Sequence, residues 1–423
     1  MTATIPRRTV LAGAAIAGLT GCARGTETRA APPGVVTLNN DNATWAPGYA
    51  AASIPLHRQT GYRLSPRAVP NVSAYQQIVR MSAQTDSTTD LIKWWNGYRL
   101  QDIARAGILA DLTEAWDEAQ RAGRVDPTLR ASFSYNGKPY AMPLYKSYYA
   151  VFYSKKAFAK HGVTPPRTWA EFIKAATTFS KAGVVPIAAA GASDWESIIW
   201  FAQVLIGTDP GFYQRLTAGK ARYTDPTAIQ AMSLWAHMYS AKLFSAPDYD
   251  ATGTPAHFKD GSVAMTLGGT WNTNAYTTAG LTDSDYGIFL LPQMRLSAPF
   301  AVVVESGALA VPINAHKRKA ALSVAGAWLT DDVQRAWTGF LKDTSANPAV
   351  VPNVSAIRDL HVQVADRQPR EMTRYWEASP PALVEGNVNE LSAFMVNPHP
   401  ENVRPTLNRM QERADTEWKT WNS

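Results

Sequence analysis

The sequence predicts an α/β protein with a largely parallel sheet, built as two domains or more. Three observations carry this. Short apolar strand candidates alternate with helical periodicity through the first hundred residues. Capping signals mark helix starts through the middle third. After a short N-terminal leader about 400 residues remain, too many for a single core.

The elements follow in order. Val35-Val36-Thr37-Leu38 is a strand candidate, followed by the polar loop Asn39-Asn40-Asp41-Asn42. A helix is expected within 46–60. Asp90-Leu91-Ile92-Lys93-Trp94-Trp95 reads as a strand ending at Asn96-Gly97, and 99–110 reads as helix, with Leu100, Ile103 and Ala104 on one face. Thr168 with Glu171 makes a capping box behind Pro165-Pro166. Ser193 with Glu196 makes a second, and Asp225-Pro226 is a third start with Pro at the first helical position. Between the first two, Val184–Ala188 is a strand that Pro186 confines to an edge or a bulge. Val302–Val304 and Ala308–Val311 flank Glu305-Ser306-Gly307. Helices are expected over 316–340 and 401–421.

The N-terminus states where the chain works. Arg7-Arg8 precede an apolar run from Val10 to Leu19. That run falls short of the about 20 residues a membrane-spanning helix needs. A charged start, a short apolar middle and small residues at the end read as an export signal over 1–21. The paired arginines resemble a twin-arginine signal. Leu19-Thr20-Gly21-Cys22 resembles a lipobox, which implies that Cys22 is lipidated and begins a tether over 22–34. Cys22 is the only cysteine, so an internal disulfide is impossible. The net charge of +7 becomes +5 without Arg7 and Arg8, and it is scattered. Its densest run, Lys317-Arg318-Lys319, reads as a solvated helix start, so no nucleic-acid partner is expected. Fourteen tryptophans and seventeen tyrosines suit sugar recognition, because flat ring faces stack while rim hydroxyls take polar partners.

Further motifs bring a family into view. Tyr135-Asn136-Gly137-Lys138-Pro139-Tyr140-Ala141-Met142-Pro143 is the first of them. Phe152–Phe158 is followed by Gly162 and by Pro165–Phe172. Phe258–Met265 leads to Gly268-Gly269-Thr270-Trp271, and Gly307–Pro312 precedes a Lys-rich helix. In this order the motifs resemble the extracellular solute-binding proteins of ATP-binding-cassette importers, of the carbohydrate-binding type. The resemblance covers nearly the whole chain. It implies a two-lobed periplasmic-binding-protein fold whose lobes are joined by crossing hinge strands. Lobe one would hold 35–143 and 296–341, lobe two 150–288 and 352–423, with crossings at 144–149, 289–295 and 342–351. The ligand would lie between the lobes, outside the carboxyl ends of strands.

Candidate ligand residues sit in strand-end loops. Asp41, Asn42 and Trp45 follow the first strand, and Trp95 and Asn96 end another. One of Trp94 and Trp95 must face the core if the strand alternates. Asp194 and Trp195 open a helix, where backbone N–H groups point outward. Gly269 allows close approach, and the resemblance implies a ligand-facing ring at Trp271. Glu305 is a lone carboxylate in an apolar segment, placed for a ligand or for a salt bridge. Tyr145, Tyr148 and Tyr149 lie near the first crossing, and Tyr148 is the candidate taken from them. Asp41 and Asp194 read equally as turn or helix caps. Nucleophile-elbow, zinc-protease and phosphate-loop motifs are missing, so no catalytic residue, cofactor or metal is expected.

The resulting expectation is a monomeric, lipid-anchored receptor on the extracellular side of the cell membrane. It would capture a sugar or oligosaccharide and deliver it to the membrane permease of the importer. The alternatives are the same fold binding a phosphate ester, a polyamine or iron, or a secreted carbohydrate-active enzyme. For an anionic ligand only Lys93, Lys146 and Arg374 stand as scattered cations.

Overall fold

The computed structural model describes residues 33–83, 85, 88–191, 194–351 and 353–423. The export signal, Cys22, most of the tether and Ser193 of the second capping box lie outside the described residues. Strands run β1 (Val35–Asn40), β2 (Arg63–Ala68), β3 (Leu91–Trp95), β4 (Ser134–Tyr135), β5 (Lys138–Pro139), β6 (Ala141–Pro143), β7 (Ser147–Ser154), β8 (Val185–Ala188), β9 (Val263–Gly269), β10 (Tyr286–Phe289), β11 (Ala301–Glu305), β12 (Gly307–Ala310) and β13 (Arg370–Thr373).

They form two main sheets. One has the order β2-β1-β3-β12-β6; the other has the order β13-β11-β7-β9-β8, with β10 also on β7. Each belongs to one lobe of a two-lobed α/β fold. The first lobe's β1, β2 and β3 are parallel, as βαβ connections require. The sheets are nonetheless mixed. The chain enters each lobe more than once, and β12 arrives antiparallel to both β3 and β6. In the second lobe β7 is antiparallel to β9, β10 and β11.

Local signals explain most elements. Thr168 and Glu171 form the capping box of the helix Trp169–Lys181. Asp225 precedes the helix Pro226–Ser240. β8 is an edge strand, where Pro186 removes no interior ladder bond. Asn136 and Gly137 both take positive φ and close the β4–β5 hairpin. The helix expected over 99–110 is Gly97–Arg105. Gly107, at φ 71, ends it, and Leu109 then bridges to Pro312. The stretch 316–340 splits into Arg318–Ala327 and Asp331–Leu341. No helix among the described residues is long and apolar enough to cross a membrane.

The chain passes between the sheets near 144–146, at Ser306 and near 342–351. The second passage corrects the expected one at 289–295. β10 and β11 both pair with β7, so residues up to Glu305 stay in the second sheet, and β12 begins in the first at Gly307. The apolar run Phe289–Leu291 resembles a crossing in sequence but is buried inside the second lobe. The three passages are tied together. Leu144 N–H donates to Gly307 O at 2.8 Å, and Lys146 N–H donates to Thr344 O at 3.2 Å. Ser147 Oγ donates to the Asp343 carboxylate, and Ser306 Oγ to Tyr145 O.

Asp343 is buried beneath these passages. Burial pushes its pKa up to about 7, against hydrogen bonds from Ser147, Thr270 and Thr344 that favour the carboxylate. A raised carboxyl pKa means that the folded state holds the proton more tightly than the unfolded chain. The stability it contributes is therefore present below the ordinary carboxyl range and declines as pH rises toward 7. Thermal unfolding across pH 4–8 should show the native chain losing stability relative to Asp343→Asn through the interval between about 4 and 7. Parallel pH profiles for the two proteins would contradict this assignment.

Candidate ligand-binding site

The carboxyl ends of β1 and β3 face the second lobe, and the side chains there close into a ring of contacts. Lys93 Nζ lies 2.9 Å from Asp41 Oδ2 and 4.3 Å from the centre of the Trp95 ring. The Arg99 guanidinium sits 5.7 Å from Trp95 and stacks at 3.5 Å on Trp376 of the other lobe. Trp376 meets Trp195 edge-on at 5.0 Å, and the Arg374 guanidinium lies 5.5 Å from Trp195. Arg374 Nη1 contacts Glu305 Oε2 at 2.6 Å, and Tyr145 OH donates to Glu305 Oε1 at 2.9 Å. Tyr145 packs edge-on to Trp45 at 5.8 Å, and Lys93 lies 5.7 Å over Trp45.

Arg374 is the electrostatic centre. It also donates through Nε to Glu377 Oε2 at 2.8 Å and through Nη2 to the other Glu377 oxygen. Burial alone would lower its pKa, but Glu305 and Glu377 hold it well above the usual value. Glu305 is raised by burial, and Arg374 opposes that rise. Arg99 is lowered to about 10 by burial, against the pull of Glu385 at 2.9 Å.

Three buried polar atoms on this ring have no hydrogen-bond partner among the described residues. They are Asp41 Oδ1, Arg99 Nη2 and Trp376 Nε1. Buried polar groups are normally paired, and an unmade bond costs about 1–3 kcal/mol. The set mixes donors and acceptors beside aromatic faces, which is the chemistry a hydroxyl-rich ligand meets.

Each expected residue has a definite place. Asp41 is in the ring through Lys93. Asn42 instead caps the turn Ala43–Trp45, accepting from Thr44 N–H at 3.0 Å. Trp45 is half-buried and also packs edge-on against Trp337 at 5.4 Å. Trp94 is the core member of its pair, its Nε1 donating to Arg99 O, and Trp95 faces Lys93. Asn96 is buried and lies outside the ring, in a cavity shared with Ser132. Asp194 opens the helix Asp194–Thr208, and Trp195 is exposed beside Trp376. Gly269 leaves room for the Trp271 ring: a Cβ there would fall 1.8 Å from it, so the ring holds this position only beside a glycine. Trp271 is half-buried and edge-on to Tyr149 at 5.8 Å.

Tyr148 is the clearest departure. Alternation along β7 turns it toward Glu371, His361 and Lys146, away from the ring. Tyr149 takes the inward place beside Trp271. Arg99, Trp376 and Glu377 were not expected at all. Their sequence signals are weak: an arginine one turn into a helix, and the run Arg374-Tyr375-Trp376-Glu377 directly after a strand.

Comparisons agree with this architecture. Residues 41–335 match the family model of the bacterial extracellular solute-binding proteins. The match spans well over half of the chain, and the chain belongs to that family. A probable sugar-binding periplasmic protein of Mesorhizobium japonicum is 32% identical over 126 residues, 28% of this chain and 29% of that protein. The chain thus matches less than a third of that relative's length. The bacterial solute receptor AcbH, described as having an exclusive preference for β-D-galactopyranose, superposes with TM-score 0.78 at 17% identity, covering 90% of this chain and 98% of that one. The maltose-maltodextrin binding protein of Alicyclobacillus acidocaldarius superposes at 0.69 with 17% identity, covering 89% and 100%. At such identities the likeness establishes the two-lobed fold.

Arg374 neutralises two buried carboxylates, so removing it alone should be far worse than removing a surface charge. Arg374→Met should cost about 3–5 kcal/mol in denaturant unfolding. A loss below about 1 kcal/mol, the range of exposed ion pairs, would show that Glu305 and Glu377 are hydrated or protonated instead.

Proposed function

We propose that this chain is the lipid-anchored receptor of an ATP-binding-cassette importer, and that it captures a sugar or oligosaccharide in the cleft between its lobes. One observation carries the ligand class: the unpartnered Asp41, Arg99 and Trp376 atoms stand among the rings of Trp95, Trp195 and Trp376. Sugar hydroxyls supply both donors and acceptors to such atoms, and pyranose faces stack on the rings. The cations do not favour an anionic ligand. Lys93 is paired with Asp41, Arg374 with two glutamates and Arg99 with Glu385. The sugar-binding descriptions of the relative and of the two structural neighbours support the same reading.

Lobe one supplies Asp41, Lys93, Trp95 and Arg99, and lobe two supplies Trp195, Trp271, Arg374 and Trp376. A sugar held by both sets favours their closure, because a ligand shifts an open–closed equilibrium by its differential affinity for the two states. The passages at 144–146, Ser306 and 342–351 are the proposed hinge. Delivery to a permease and anchoring through Cys22 complete the role.

Calorimetry against a panel beginning with galactose, maltose and maltodextrins tests the ligand class. Trp271→Ala should weaken the binding sugar by about 1–3 kcal/mol while the protein stays folded. Unchanged affinity would remove Trp271 from the site, and a panel with no saturable sugar would overturn the ligand class. Anchoring has its own test. Cys22→Ser expressed in a bacterial host should move the protein from the membrane fraction to the medium, and retention on the membrane would contradict lipidation at Cys22.

A further inference from the structure

Two helices from different lobes meet beside the ring of contacts. The helix Gly97–Arg105 follows β3 of the first lobe, and its Asp102 pairs with Arg80 of the same lobe. The helix Val403–Asn422 belongs to the second lobe: Gln411 Oε1 accepts from Tyr223 N–H at 2.6 Å, and Asp415 pairs with Arg222 at 3.3 Å. Tyr98 of the first helix lies edge-on to Trp418 at 5.6 Å and to Trp421 at 5.3 Å. Arg105 Nη1 donates to Trp421 O at 2.6 Å, and its guanidinium lies 5.6 Å from the Trp421 ring.

The spacings are complementary. Trp418 and Trp421 stand three residues apart and share a face of their helix; Tyr98 and Arg105 stand seven apart and share a face of theirs. Trp421 O is one of the last carbonyls of its helix, which find no partner within the helix. Arg105 supplies that partner, and its charge suits the negative end of the helix dipole. Trp418 also lies against Gly219, where φ is 71 and a Cβ would fall 2.6 Å from the indole.

None of these four side chains belongs to the ring around the cleft. Tyr98, Trp418 and Trp421 are half-buried and Arg105 is exposed, so the contact lies at the surface and parts without opening either core. Yet the helix that carries Tyr98 also carries Arg99 into the ring, where it stacks on Trp376.

We propose that Tyr98 and Arg105 grip Trp418 and Trp421 as a clasp that holds the lobes together before any ligand arrives. The clasp acts on the lobe closure of the proposed sugar receptor and rests on that reading. Apparent affinity falls with the fraction of chains already in the binding-competent arrangement. A clasp that raises this fraction tightens binding without touching the sugar.

Small-angle scattering of the unliganded full chain reads the clasp directly. Trp421→Ala and Tyr98→Ala should each increase the radius of gyration at a melting temperature close to native. The double variant should expand no further than either single one, because both remove the same contact. Trp421→Phe keeps a ring edge for Tyr98 and should stay near the native radius. With a sugar that the calorimetric panel identifies, Trp421→Ala should weaken binding by about two- to tenfold, the range of one aromatic pair. If Tyr98→Ala fails to fold, Trp421→Ala, in the last turn of its helix, decides alone. A native chain no more compact than the folded Trp421→Ala variant overturns the proposal, as does additive expansion in the double variant or expansion at unchanged sugar affinity. The scattering needs no sugar, so a failed sugar panel and a failed clasp are separate results.

Discussion

The cluster of Arg374 with Glu305 and Glu377 is the constraint on which the site depends. All three side chains are buried, and they sit where the second sheet hands the chain back to the first. Burying one charge is prohibitive, and burying three is tolerable only because each oxygen and guanidinium nitrogen finds a partner at short range. Glu305 ends β11 one residue before the crossing at Ser306, and Arg374 follows β13 directly. The ion cluster therefore pins a crossing, a strand end and the short helix Tyr375–Ala378 to one point. Glu305 answers the choice left open in sequence: it makes a salt bridge and also accepts from Tyr145.

From that point the groups of the contact ring are positioned rather than free. Arg374 stands beside Trp195, and Trp376 follows it by two residues and stacks on Arg99 of the other lobe. Gly97 has φ 58, and a Cβ there would fall 2.3 Å from Glu377 O, so the lobes approach closely only because this residue is glycine.

What the sequence disclosed and what it hid divide by range. Features decided within a few residues were legible: the Thr168 capping box, the Asp225-Pro226 start, the edge strand at Pro186 and the Asn136-Gly137 turn. Features decided by pairing across the chain were not. Tyr148 and Tyr149 are adjacent, and only the register of β7 against β9, with Tyr149 opposite Gly269, determines which one meets Trp271 and which one meets Glu371. The crossing at Ser306 was hidden because Val302–Val304 and Ala308–Val311 are equally apolar and nothing local says that they belong to different sheets. Asn42 caps a local turn. Arg99 and Trp376 lie far apart in sequence and acquire meaning only by stacking on each other. Asp41, Trp95 and Trp195 stand in the ring of contacts, with Trp271 against Tyr149, because strand-end and helix-start loops gather where the lobes meet.

A crystal structure of the chain with the tightest-binding sugar of the panel tests the central claim most directly. The account predicts the sugar between the lobes, its hydroxyls within hydrogen-bond distance of Asp41 Oδ1, Arg99 Nη2 and Trp376 Nε1, and a ring face against Trp271 or Trp376. A sugar bound outside the inter-lobe cleft, with those three atoms still unpartnered, would contradict it.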